Sequence, residues 1–291
     1  MSDRPTTSLG DLRSALEELA TIPDAEWIGD LDERKVKELQ FHDRDRDRAE
    51  VAKLDAKSRR QLHGNKKFYS VVNTSRAYVD DWIAAHSPGH VVLDYACGNG
   101  GSAIHAAVSG ASLAVGLDIS RVSVENAMRD AALAGVAKNT FFVQGDCENT
   151  RLPSNSIDVI ICSGMLHHLD LTYAFPELRR ILKPGGVILA VEALNINPAV
   201  KLYRRLTPSM RTEWEREHIL SHRHLRLAEW FFDVRNVRYW HLFVIPAALV
   251  QNTPFFAPMV LLGNALDTIA MRIPLLNQLA WQFTFEMYKR V

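Results

Sequence analysis

Between Val91 and Ala193, short apolar runs alternate with stretches of helical period, and this alternation leaves the chain few folds to choose from. Strands buried on both faces read as unbroken apolar runs, and parallel neighbours need a helical crossover between them. The runs 91–95, 113–117, 140–144, 157–163 and 187–193 therefore predict βαβ units on a parallel sheet. The intervening helices should stop at Gly110 and Gly135, the second of them starting from Ser120 as N-cap. After the fourth strand, Pro176 fits best in the first turn of a helix, and Lys183-Pro184-Gly185-Gly186 reads as a turn. A helix over Phe68–His86, with Val71, Val72, Tyr78, Val79, Trp82 and Ile83 on one stripe, precedes the first strand. Residues 1–66 form a polar, helical N-terminal extension with a break at His63-Gly64-Asn65, and the main domain spans 67–291. The alternating charges of Asp43–Glu50 read as a solvated helical face.

The first strand runs into Gly98-Asn99-Gly100-Gly101-Ser102-Ala103, which fits the dinucleotide fingerprint. Asp94 argues against a dinucleotide. A carboxylate just ahead of the glycines would face a doubly negative pyrophosphate, but it would attract a cationic ligand such as the sulfonium and amino group of S-adenosylmethionine. Asp118, at the end of the second strand, suits a ribose diol in either ligand.

Beyond that loop, "VVLDYACGNG", "AVGLDIS", "VQGDCENTRLPSNSIDVIICSGMLHHL" and "ELRRILKPGGVILAVEA" follow one another over residues 90–193. In order and spacing they resemble the motifs of class I S-adenosylmethionine-dependent methyltransferases, especially the ubiquinone/menaquinone-biosynthesis type that acts on small molecules. The resemblance implies an α/β fold: a doubly wound, mostly parallel seven-stranded sheet of Rossmann-like methyltransferase type. It also implies S-adenosylmethionine as cofactor, held by Asp94, Ala96, Gly98, Gly100, Asp118, Ile119, Asp146, Cys147 and Ser163. Asp94 and Gly98 would sit at the methionine end, with Asp146 and the Cys147 amide at the adenine. Ala96 departs from the pattern, since many relatives carry glycine there.

Methyl transfer is an in-line displacement in which the protein aligns the reactants and excludes water. A base is needed when the acceptor arrives protonated. An acceptor above the carboxyl ends of the strands would lie near His167, His168 and Glu192, the catalytic candidates. Two insertions interrupt the minimal pattern, at about 194–221 and 246–281. From the first and the segment after it, Tyr203, Arg204, His218 and His222 are candidates for contact with the acceptor. His218, His222 and His224 lack an H-E-x-x-H frame, and no metal is assigned.

The second insertion lies between expected strands at 236–245 and 282–290. No Asp, Glu, Lys or Arg occurs from Tyr239 to Leu266, and prolines break the run too often for a membrane span. Met259, Leu262, Leu266, Ile269 and Ile273 recur at helical spacing. They are expected to cap a hydrophobic or lipid-linked acceptor, with a homodimer contact or a membrane surface as the other uses. Thirty-four basic residues balance thirty-four acidic ones, which disfavours a nucleic-acid partner. Cys97, Cys147 and Cys162 form no C-x-x-C pair, and the start lacks a secretory pattern, so a cytoplasmic protein is expected, with peripheral membrane attachment left open. Three rival functions remain. A nicotinamide oxidoreductase would bind NAD, a nucleic-acid methyltransferase would need a basic track, and a non-catalytic S-adenosylmethionine-binding module would methylate nothing.

Overall fold

The computed structural model describes residues 6–55, 58, 59, 62, 64 and 66–290, so His63 and Asn65 of the expected turn lie outside the described residues. Seven strands form one sheet: β1 Val91–Tyr95, β2 Leu113–Asp118, β3 Thr140–Gln144, β4 Ile157–Ser163, β5 Leu182–Ala193, β6 Asp233–Trp240 and β7 Gln282–Tyr288. Their order is β3-β2-β1-β4-β5-β7-β6. β1 to β5 are parallel, and β7 returns antiparallel between β5 and β6. The order reverses between β1 and β4, and in such sheets ligands bind outside the carboxyl ends of the strands at that reversal.

Buried aliphatic side chains cover both faces of the sheet, as the unbroken apolar runs require. Helix Leu9–Ala20 belongs to this core, because Leu12, Leu16 and Leu19 pack in one cluster with β1, β2 and β4. Ser120 accepts a hydrogen bond from Ser123 N and starts helix Arg121–Leu133, as expected.

Several elements depart from the sequence reading for local reasons. Helix Leu171–Ile181 begins before Pro176, which sits inside it. Asp170 caps the helix at Thr172 N, and the Thr172 carbonyl that proline cannot bond lies on the exposed side. β5 starts at Leu182 and takes in the Lys-Pro-Gly-Gly segment, with a register shift between Ile157 and Val159 on β4. β6 ends at Trp240 because His241 turns left-handed, with φ at 67°. The expected helix over 68–86 divides into a 3-10 segment, Lys66–Val71, and helix Asn73–His86.

The apolar insertion also corrects an expectation. Helix Phe256–Ala270 turns Gly263, Asp267 and Ala270 inward. Asp267 accepts hydrogen bonds from the backbone amides of Leu242, Phe243 and Val244. A Cβ on Gly263 would stand 2.6 Å from Val244 Cα, so only glycine permits this approach. The stripe Met259, Leu262, Leu266, Ile269 and Ile273 consequently faces outward and does not line the cavity described below, to which the same insertion contributes Pro246, Leu249, Leu279 and Trp281 instead.

Candidate active site

The turn after β1 is held from below by carboxylates. Asp94 accepts from Ala103 N at 3.1 Å, fixing the start of helix Gly101–Val108. Asp118 accepts from Gly98 N at 2.8 Å and from Ser120 N at 2.9 Å, tying the loops after β1 and β2 together. Burial, and secondarily the neighbouring Asp118, push the Asp94 carboxyl up to about 7. Ala96 adopts φ of 57°, a left-handed conformation that suits glycine and strains alanine. Gly100 is needed for packing, since a Cβ there would meet the Phe142 ring at 2.6 Å and Ala127 at 2.8 Å.

Ala96, Asp118, Ile119, Asp146, Cys147 and Ser163 line one cleft above these loops. Gly98 borders it, because a Cβ at Gly98 would touch the Arg46 guanidinium. Asp94 and Gly100 are not among its lining residues and act on it through the loop. The cleft is closed by a helix that the sequence pattern alone does not connect with it, Glu33–Arg46. Arg46 reaches Asp118 at 3.2 Å, and Lys35 reaches Asp146 at 2.7 Å. Arg34 pairs with Glu148 at 2.6 Å and donates to the His168 carbonyl. Asp43 accepts from Ser120 Oγ, and Arg48 pairs with Asp130. The charged stretch 43–50 is therefore docked through Asp43 and Arg46, whereas Arg44, Arg48, Ala49 and Glu50 remain exposed as a solvated face.

The acids suit the cofactor that the resemblance implies: Asp118 is a charged acceptor for a ribose diol, and Asp146 is one for an exocyclic amine. About 90 Å³ of the cleft is left between the lining side chains, less than a nucleoside needs.

Beside the cleft lies a much larger cavity of about 820 Å³. Phe68, Ile245, Leu249, Leu279 and Trp281 give it apolar walls, and Tyr203 and Arg204 also line it. His42, Ser163, Gly164 and His168 line both spaces, so the two meet at the end of β4. At that junction Glu192 is buried and fully engaged: Oε1 accepts from Met165 N and Leu166 N, and Oε2 pairs with His167 Nδ1 at 2.7 Å. Burial works against a charged His167 ring, but the Glu192 carboxylate overrides it and raises the histidine above its usual 6.5. With Nδ1 committed to Glu192, Nε2 is the nitrogen left for the cavity.

Arg204 is the odd charge in this wall. It donates to Asn195 Oδ1 at 3.3 Å, whereas its neighbour Arg211 has a carboxylate partner in Glu215. Burial, and then Arg211, lower Arg204 to about 10. His218 and His222 do not line the cavity, contrary to expectation. His218 stacks on Trp214 and His222 meets the Tyr239 hydroxyl, so local packing takes up both rings.

His168 bonds Glu38 at 2.9 Å through Nδ1. Glu38, His42 and His168 bring a carboxylate and two imidazoles within 4.8 Å of one another, as do His167, His168 and Glu215. Either triplet offers donors that a divalent transition ion accepts, although the sequence pattern alone assigns no metal. Burial, then His168 and Arg46, keep His42 well below its usual value. The three cysteines are free and buried, and burial pushes their thiols far up, which removes them as nucleophiles. Sequence reasoning missed Lys35, Glu38, His42 and Arg46 on the N-terminal helix, and His241 in the cavity wall. The buried Nδ1 of His241 has no hydrogen-bond partner among the described residues.

Residues 92–186 match a family model described as a methyltransferase domain. The chain is 36% identical over 128 residues to the sterol 24-C-methyltransferase erg6 of Aspergillus fumigatus, covering 44% of this chain and 34% of that protein. It is 28% identical over 178 residues to the ubiquinone biosynthesis O-methyltransferase of Neisseria meningitidis, covering 59% and 65%. It spans only about a third of the sterol methyltransferases it matches. In fold it resembles the geranyl diphosphate C-methyltransferase of Streptomyces coelicolor, with a TM-score of 0.54, 16% identity, and coverage of 79% of this chain and 86% of that one.

Proposed function

We propose that the chain, whose residues 92–186 match a methyltransferase domain, is a class I S-adenosylmethionine-dependent methyltransferase that methylates an apolar small molecule bearing one anionic group. One observation carries the reading: the acid-lined cleft and the apolar cavity meet at His42, Ser163, Gly164 and His168, with the His167–Glu192 pair at the junction. S-Adenosylmethionine, when bound, supplies an electrophilic methyl group on a sulfonium. The chain's own residues do the rest.

Asp118 and Asp146 hold the ribose and adenine, in place of Arg46 and Lys35. The apolar walls take the acceptor's hydrocarbon and keep water away from the junction. Arg204, a cavity-wall cation without a carboxylate partner among the described residues, binds the acceptor's anionic group and sets which end points inward. Glu192 fixes the His167 tautomer, and His167 Nε2 accepts the proton that a hydroxyl or acidic carbon gives up as it becomes the nucleophile. An acceptor without a proton to lose would leave alignment as the main device.

The test is incubation of the purified protein with methyl-labelled cofactor and an organic-acid fraction of cell extract. Label should pass to a species that partitions into solvent at low pH and into water at high pH. Label only in neutral lipids would remove the role of Arg204. No transfer at all, with tight NAD binding and no S-adenosylmethionine binding, would overturn the reading.

A further inference from the structure

The second insertion turns its apolar face to solvent. Phe255 is 69% exposed, Leu261 75%, Leu262 61% and Ile269 63%, with Met259, Leu266, Ile273 and Leu275 beside them. The fully buried positions of the same helix are the small or polar Gly263, Asp267 and Ala270, with Phe256 and Val260 half-buried beside them, so most of its large apolar side chains are left outside. Patches of this kind on a chain of this size mark a surface that meets something apolar.

Two observations identify what it meets. The first is charge. Three stretches of the cavity wall carry its exposed charges, the 3-10 segment Lys66–Val71, helix Pro198–Leu206 and residues 241–281, whereas the wall's Glu192 and Glu215 are paired with His167 and Arg211. The only carboxylate of the three stretches among the described residues is Asp267, which is buried beneath three backbone amides. Their exposed charges are Lys67, Lys201, Arg205 and Arg272, all positive. The second is continuity. Leu249 and Tyr69 line the cavity and are also exposed, so apolar side chains reach from the cavity wall to the outer surface. A soluble protein partner would account for the leucines. It would not need exposed charges of one sign on the stretches that carry this surface, or apolar side chains leading inward.

We propose that this face docks on an anionic lipid surface, with Phe255, Leu261, Leu262 and Ile269 in the acyl boundary and the four cations at the headgroups. The role that follows, entry of the acceptor into the cavity from the lipid side, rests on the methyl-transfer reading. The docking itself does not. Among the described residues no helix is long and apolar enough to cross a membrane, and the contact lies on one leaflet.

The test is co-sedimentation of the full chain, without cofactor or acceptor, with vesicles of phosphatidylcholine alone and of phosphatidylcholine with phosphatidylglycerol. The protein should pellet with the anionic vesicles and be partly released by salt. Leu262→Ser with Ile269→Ser should weaken partitioning at least about tenfold, since each substitution removes an exposed anchor. Both side chains are exposed, so circular dichroism and cofactor affinity should stay at wild-type values, which separates lost docking from lost folding. Lys201→Glu with Arg205→Glu should abolish the preference for anionic vesicles. Wild-type protein that stays in the supernatant with both vesicle types overturns the proposal. So does a dimer in solution that the serine variant dissociates while wild-type vesicle binding is absent. Either result leaves the methyl-transfer reading standing, because that is read by label transfer without vesicles.

Discussion

Replacing Glu192 by glutamine should disable His167 without disturbing the fold around it. In the native pair, Oε1 accepts from Met165 N at 2.9 Å and Leu166 N at 2.7 Å, and Oε2 takes His167 Nδ1–H at 2.7 Å. In Glu192→Gln the carbonyl oxygen satisfies both amides and leaves the NH2 group facing Nδ1. That nitrogen must then accept, so the ring proton moves to Nε2 and blocks the nitrogen that faces the cavity. The cationic ring also loses a charge-assisted hydrogen bond of about 1.5–3 kcal/mol, equivalent to about 1–2 pH units. The wild-type kcat/KM should rise with pH through a value above 6.5, where His167 sheds its proton. In Glu192→Gln, kcat should fall by about 10²–10⁴-fold, and any residual acid limb should move to lower pH. The same pairing contributes stability below pH 6.5 and loses it as pH rises through the raised His167 value. Thermal scans of wild type against Glu192→Gln should therefore converge at high pH. A kcat/KM profile in Glu192→Gln that overlays wild type, with cofactor affinity intact, would remove His167 as the base.

Asp94 gives a second pH effect, of the same sign on stability. With its folded value raised from 3.8 to about 7, the chain without cofactor loses stability as pH rises through that window. A cationic ligand favours the carboxylate, so S-adenosylmethionine should bind about tenfold more tightly at pH 8 than at pH 6; a flat calorimetric profile, or one that persists in Asp94→Asn, would contradict this. Asp118→Ala should cost about 2–3 kcal/mol of cofactor affinity, because the ribose loses a charged acceptor and Gly98 N loses its anchor; wild-type affinity would exclude that role. Arg46→Ala should strengthen cofactor binding, since the ribose no longer displaces an ion pair from Asp118; weaker binding would make Arg46 a ligand contact. Ala96→Gly should raise stability by up to about 1 kcal/mol in denaturant titration, by relieving the left-handed alanine; a loss would mean that its methyl packs usefully.

The parallel strands are legible because burial on both sides leaves unbroken apolar runs, and β1, β3 and β4 begin and end where those runs do. The departures fall where the sheet overrides a local signal. Lys183-Pro184-Gly185-Gly186 has the composition of a turn, yet it enters β5 because Leu182 pairs with Ile157 across a bulge. The stripe from Met259 to Ile269 does lie along one face of a helix, with Ile273 just past its end, but periodicity does not say which face is inward. Gly263, Asp267 and Ala270 share the opposite face, and the amides of Leu242, Phe243 and Val244, twenty-odd residues away, decide the matter by requiring the Asp267 carboxylate.

The closing helix at Glu33–Arg46 escapes a sequence reading for a related reason. A lysine directed at water and one directed at Asp146 look alike in a sequence, and 111 residues separate Lys35 from its partner. The need for such a partner, however, follows from the acids. The Asp118 side chain is 4% exposed and that of Asp146 14%, and desolvated carboxylates without counter-charge are costly. The same helix that neutralises them also carries Glu38 and His42 to the junction with the cavity, so its position is coupled to both spaces. With the cofactor bound as proposed, its affinity is a difference: the hydrogen bonds that ribose and adenine would make to the two acids, less the ion pairs that Arg46 and Lys35 would give up. On this logic, strengthening the helix's hold on the acids weakens the cofactor, and salt, which screens the partly exposed Arg46 more than the buried ribose contact, shifts the balance toward binding.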